Sequence, residues 1–188
     1  MPLNETLTKF NWIDIVVAAL VLIMSYRGFK KGFIVEMFKL SGIVLSIYVS
    51  LHYFSRASDF LYQRFPIIKL INWDFICFTI LAVMSYLAMA AARNIFCRFV
   101  KVEAASGLNK WGGLAAGFFR GSLTASMLFL LFYFSTVAYL KESVKKSYLG
   151  SQCVVSDVKV YEFIFNNIVL KFSPGDKLNQ GIYEVLEE

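Results

Sequence analysis

His52 is the only histidine in the chain, which limits at once the chemistry the sequence can offer. A catalytic zinc site draws on His, Cys and carboxylate ligands, and no HExxH pair can be written with one imidazole. A Ser-His-Asp triad would need the same His52, and no GxSxG elbow presents a serine to it. Ser143/Lys146 and Ser156/Lys159 have the Ser-x-x-Lys spacing of a serine acyl-transfer pair, but such pairs arise readily by chance. A GxxxxGK[ST] phosphate loop is absent. Cys77, Cys97 and Cys153 form no CxxC, and Cys77 inside an apolar run is expected to be a small buried hydrophobe. The expectation is a protein with no catalytic residues, no cofactor and no bound metal.

Four charges near apolar runs carry more information. Asp14 lies early in the first run, Arg27 just after it, Glu36 early in the second and Arg120 early in the fourth. A charge at the bilayer centre costs about 2.5–3.5 kcal/mol on insertion scales, so it is usually paired or snorkelled. Glu36 and Arg120 are expected near the same membrane face, where they can pair, with Lys39 snorkelling at headgroup depth. Asp14 is expected at the opposite end without a comparable partner. A polar path lined by these charges is the functional reading; interface residues and one structural ion pair are the plainer one, and the plainer one is favoured.

Small residues supply the other pattern. Gly113, Gly117 and Gly121 recur every fourth position and Ala125 continues the row. On a helix this makes a groove into which another backbone fits. Gly42, Ser46 and Ser50 form a similar stripe, and Gly28/Gly32 a further pair. Packing within one chain is favoured over a homo-oligomer seam.

The elements that must position these residues follow from composition. Of 188 residues, 58% are apolar and 17% charged, and the mean hydropathy is +0.60. Soluble domains usually hold about 45–50% apolar and about 25% charged residues. Four runs, at about 10–26, 33–54, 73–92 and 111–140, are each long enough to approach a bilayer crossing of roughly 20 residues. A lone strand in lipid would leave its backbone unpaired, so all four are helices. The fold class is all-α: a polytopic membrane protein with a four-helix transmembrane domain over 1–140 and an extramembrane tail over 141–188. The first run lacks a small-x-small cleavage site and is taken as a retained span. Trp12, Trp73 and Trp111 stand at the starts of runs, as interfacial anchors do. Residues 55–72 form the longest loop, apolar enough to lie on the membrane surface, with Pro66 as a breaker.

In the tail, Val154, Val158, Tyr161, Phe165, Ile168 and Phe172 are spaced as one face of a helix over 154–172. Ser156 is a candidate cap, and Ser173-Pro174-Gly175 ends the helix. That face is expected to lie on the membrane or against the bundle. The formal charge of +6 raises nucleic acid as a partner, but the positives sit in short clusters between apolar runs, as loops beside anionic lipid do. The expected partners are the lipid bilayer, other membrane or envelope proteins, and, as a second reading, further copies of the chain; nucleic acid is not expected. Lys and Arg tie between the two faces when summed over all loops, so orientation rests on the first helix. One positive precedes it and three follow, which favours extracytoplasmic termini.

Trp12-Ile13-Asp14, Arg27-Gly28-Phe29-Lys30-Lys31-Gly32-Phe33 with Glu36 and Gly42, then Leu108-Asn109-Lys110-Trp111-Gly112-Gly113 running to Gly117 and Arg120-Gly121, resemble the colicin V production protein family. The resemblance covers roughly residues 12–140. It implies a bacterial inner-membrane protein of about four helices with a role in toxin production. Family members often carry Asp-Arg where this chain has Asn109-Lys110. Related four-helix segments anchor extracytoplasmic protease domains, which agrees with external termini. Two functions are consistent with these expectations: a non-enzymatic envelope scaffold or accessory in colicin V production or export, and a small oligomeric transporter or channel subunit.

Overall fold

A computed structural model describes residues 11–66, 69–99, 107–135 and 137–187. Helix α1 spans Trp12–Lys31. The side chains of Asn11 and Asp14 form a reciprocal capping box that satisfies the first orphan amides. The helix stops at Gly32, whose φ of +83° suits a residue without Cβ. The chain turns there into α2, Phe33–Arg64. The Phe33 amide donates to Asn109 Oδ1 at 2.5 Å, so a side chain from another helix caps α2. Phe65 leaves helical geometry immediately before Pro66, as sterics before proline require. Helix α3 spans Leu70–Phe99 and α4 Gly107–Phe134. Two shorter helices follow, α5 at Ala138–Lys146 and α6 at Tyr148–Ile164. The last continues through a π-helical stretch, Phe165–Val169, to Phe172. A final helix, α7, covers Gly181–Glu187.

Helices α1 to α4 are each long and apolar enough to cross a membrane. Several boundaries differ from those expected. The first span runs on to Lys31, because Lys30 and Lys31 are tolerated in an exposed last turn, where cations suit the helix dipole; its expected start at Phe10 lies outside the described residues. Most of the expected surface loop, 55–64, is instead helical and continues α2, and α3 begins at Leu70. Ser58 there is buried and donates to Asp74 of α3, while Phe60 stays exposed. The fourth span begins at Gly107 and ends at Phe134, short of the expected Leu140; the chain restarts as α5, carrying Lys141, Lys145 and Lys146. Trp111–Phe119 is a continuous part of α4.

Helix α1 packs along α4 and α2 along α3, and α2 joins the two pairs by also contacting α4. The α1/α4 contact is set by glycine. A Cβ on Gly117 would lie 2.6 Å from the Met24 carbonyl oxygen, and one on Gly121 would lie 2.9 Å from the Val21 Cα. Gly28 and Gly113 meet backbone to backbone. Ala125, one turn further, is fully buried. In lipid no hydrophobic force separates helix from tail, so association rests on such close van der Waals contact.

The outer surface is apolar: Leu22 is 70% and Met84 62% exposed. The charged Asp14, Glu36, Lys39 and Arg120 lie inside. Apolar surface outside and charge inside suit a protein solvated by hydrocarbon. Helix α6 joins the same core, with Val154, Val158 and Tyr161 beside Ile13, Ile47, Leu51 and Phe129. Residue 140 is therefore no boundary between cores.

Gly117→Leu is expected to lower the thermal midpoint in mild detergent markedly, since overpacking a close contact costs about 1–3 kcal/mol or more. Leu22→Ala, on the lipid-facing surface, is expected to change it little. Equal midpoints for the two variants would show that the seam does not hold the bundle.

Candidate functional site

The charges of the spans meet between α2 and α4. Glu36 stands in the first turn of α2 and is fully buried. The Lys39 ammonium, one turn on, donates to Glu36 Oε1. Arg120 of α4 approaches the other oxygen, with Nε 3.0 Å from Oε2. The Arg120 contact is an ion pair without hydrogen-bond alignment, since neither Nε nor Oε2 has a well-directed partner. Lys39 is 8% exposed and Arg120 7%, so the lysine does not snorkel to the headgroups as expected. Glu36 faces the bundle, and a buried carboxylate in hydrocarbon draws the nearest ammonium inward. One carboxylate thus holds two cations, and the cluster keeps a net positive charge. Arg27 remains exposed and outside it.

Asp14 has partners that the sequence did not disclose. Its Oδ1 accepts from the Ser147 hydroxyl at 2.7 Å and the Leu149 amide at 2.8 Å, and Oδ2 accepts from the Asn11 amide at 2.7 Å. The carboxylate therefore caps α1 and seats the start of α6 as well. Ser147 is the N-cap of α6, its hydroxyl accepting from the Gly150 amide at 2.9 Å. The expected cap, Ser156, lies within the helix and bonds back to the Gln152 carbonyl. Gly150 fits against Ile13, where a Cβ would come within 3.1 Å.

Two further contacts fasten α6. The Ser126 hydroxyl of α4 donates to the Cys153 carbonyl. His52 of α2 lies 3.0 Å from the Tyr161 hydroxyl through Nδ1 and 3.2 Å from Asp176 Oδ2 through Nε2. The Tyr161 hydroxyl also accepts from the Asn179 amide, and the Asn179 side chain donates to the Leu51 carbonyl at 2.7 Å. The lone histidine thus joins α2, α6 and the segment after Pro174. Hydrogen bonding from the Lys177 amide, then His52 and Arg56, holds the Asp176 carboxyl below its ordinary range.

The small residues divide into three uses. Gly28, Gly113, Gly117 and Gly121 bring α1 and α4 together. Gly32 is the turn between α1 and α2. A Cβ on Gly42 would make ordinary 3.4 Å contact with Met89 of α3, while Ser46 and Ser50 are buried and bonded to their own helix at 2.8 and 2.6 Å.

A family model described as Colicin V production protein matches residues 13–156. The chain belongs to that family. Neither the curated proteins nor the solved structures give a match. The Colicin V production match takes in the glycine seam, the Glu36 cluster and the Asp14–Ser147 contact, and it ends inside α6. His52 lies within it, whereas Tyr161 and Asp176 lie beyond it. Asn109 caps α2 through its side-chain oxygen. The cap needs an acceptor at that position and no charge.

Among the described residues, Trp73 Nε1 and both oxygens of Asp157 are buried with no hydrogen-bond partner and no ion pair. Asp157 of α6 is fully buried, and neither carboxyl oxygen has a hydrogen-bond partner. Burial pushes its pKa well above the ordinary carboxylate range, with Ser126 opposing in part. A raised folded-state pKa means that stability falls as pH rises from the unfolded value through the folded one. Asp157→Asn is therefore expected to be at least as stable as the native chain at neutral pH, by up to ~1–3 kcal/mol. Between about pH 5 and about pH 8 the native thermal midpoint should fall while that of the variant stays flatter. Parallel pH profiles for the two proteins would show that Asp157 does not titrate in this range.

Proposed function

We propose that this member of the Colicin V production family is a non-enzymatic scaffold or accessory of the bacterial inner membrane, acting in toxin production or export. The family supplies the toxin-production context. The observation that carries the scaffold reading is the disposal of charge within the spans. Glu36 is bonded to Lys39 and Arg120, and Asp14 to Asn11, Ser147 and Leu149. A conducting path needs polar groups open to water and ions in transit; here the carboxylates are consumed in holding helices together. Partners would meet the outer apolar surface, including Phe163 on the outer side of α6, 65% exposed. The exposed Arg27, Lys30 and Lys31 at the end of α1 favour a cytoplasmic position for that end and an extracytoplasmic one for the termini.

Two measurements test this reading. A photocrosslinking residue at Phe163 in toxin-producing cells should give a discrete adduct with an envelope protein, and proteoliposomes should pass ions no faster than empty vesicles. Ion flux above that background, abolished by Glu36→Gln, would establish the transporter reading instead. For orientation, in a background without native thiols, a cysteine at Glu184 should react in intact cells with an impermeant maleimide and one at Lys110 should not. The reverse pattern would place the termini inside.

A further inference from the structure

A cleft of about 360 Å³ opens on the outer surface between α3 and α4, with Ile43 and Ser46 of α2 as part of its lining. Its volume falls within the ~300–1,000 Å³ usual for small-ligand sites. It exists because α3 packs on α2 and α4 on α1, leaving only slight contact between α3 and α4. Toward one end the Phe78 ring of α3 stacks on Phe134 of α4, with centroids 4.9 Å apart. Toward the other lies Arg120.

The cleft is apolar apart from a few groups. The hydroxyls of Ser46, Thr79 and Thr124 are spent on carbonyls of their own helices. Arg120 is the only charged residue of the lining. Among the described residues its guanidinium has no partner except Glu36, which Lys39 also engages. Five donors on a planar fork are therefore served by half of one carboxylate. Two further cations reinforce the imbalance: Lys31 acts on Lys39, and Arg93 lines a small pocket together with Lys39.

We infer that the cleft binds one anionic phospholipid of the surrounding bilayer, its phosphate on Arg120 and one acyl chain along the cleft toward Leu131. Charge complementarity selects an anion, and guanidinium matches phosphate in a forked geometry. Length selects a single chain. Arg120 and Leu131 both line the cleft, and their separation along α4 is about 16 Å at ~1.5 Å per residue. The Arg120 side chain reaches Glu36 in the first turn of α2, so the guanidinium lies near the end of that span. The cleft runs inward from it over a length that one acyl chain covers. Volume excludes a helix from a second copy, since a segment of that length and ~10 Å across fills more than about 1,000 Å³. The site is independent of the scaffold reading and of orientation.

The test is native mass spectrometry of the full chain released from nanodiscs of equal parts phosphatidylglycerol and phosphatidylethanolamine. The expected spectrum shows one retained phosphatidylglycerol, favoured about tenfold over phosphatidylethanolamine, equivalent to ~1.4 kcal/mol. Val83→Trp fills the cleft wall without touching the ion pairs, and Glu36→Gln/Arg120→Gln removes the anion partner without stranding a carboxylate. Both variants, checked for native helicity by circular dichroism, should lose the adduct. Retention unchanged in Val83→Trp would mean annular lipid only. Equal retention of the two lipids, an adduct with the mass of a free fatty acid, or a dimer without lipid would each overturn the inference.

Discussion

Helices α1 and α4 approach until backbone meets backbone, and the bundle is arranged around that contact. Gly113, Gly117 and Gly121 present no side chains to α1, and Gly28 does the same from the other helix. With the axes so close, the residues beside the glycines are fixed in depth and direction. Arg120 directly precedes Gly121 on α4, and it reaches Glu36 because α1, turning at Gly32, delivers α2 next to the seam. A side chain in the row would separate α1 from α4 and displace Arg120 from Glu36, which Lys39 on the same helix would keep.

The second organising feature is polar. Helix α6 crosses the bundle from α1 to α2 and is fastened at three places: Asp14 with Ser147, Ser126 with the Cys153 carbonyl, and His52 with Tyr161. Each contact joins residues distant in the chain. Between them the apolar row Val154, Val158, Tyr161 and Phe165 is buried against the bundle, whereas Ile168 and Phe172 at its end are 49% and 85% exposed. Spaced along the helix, the three hydrogen bonds fix its position and direction on the bundle.

How much of this was legible in the sequence follows from the range of each interaction. The four spans are properties of local composition, and so is the glycine row, whose four-residue period marks a groove whatever fills it. Family membership was likewise visible in short motifs such as Arg27-Gly28-Phe29 and Trp111-Gly112-Gly113. Position at depth was not. Lys39 near the start of a helix suggests a snorkelling cation, and only the juxtaposition with Glu36 and Arg120 explains its burial. Asp14 suggested an isolated end charge, because its partners lie 133 and 135 residues away. No periodicity announces such pairs. Asp157 is harder still: it is buried with Val154, Val158 and Tyr161 on the inward side of α6, and a single acidic residue beside an apolar row carries no mark of its depth. The missed helix over residues 55–64 is simpler: the apolar run was taken to end at Phe54, whereas the helix continues to Arg64 with Arg56, Asp59 and Arg64 on its exposed face.

The central claim is that Glu36 and Arg120 act as one unit that closes α2 onto α4. A double-mutant cycle measures this most directly: thermal or denaturant unfolding in mild detergent of the native chain, Glu36→Gln, Arg120→Met and the pair. Glu36→Gln strands two buried cations, at a cost of about 3–5 kcal/mol, whereas Arg120→Met leaves Glu36 on Lys39 and costs less. The pair leaves only Lys39 unpaired and removes its repulsion by Arg120, so the loss should fall short of the sum of the single losses by roughly 0.5–3 kcal/mol. Losses that add to within ~0.3–0.5 kcal/mol would mean that the two residues act independently, and would contradict a bundle closed by their pairing.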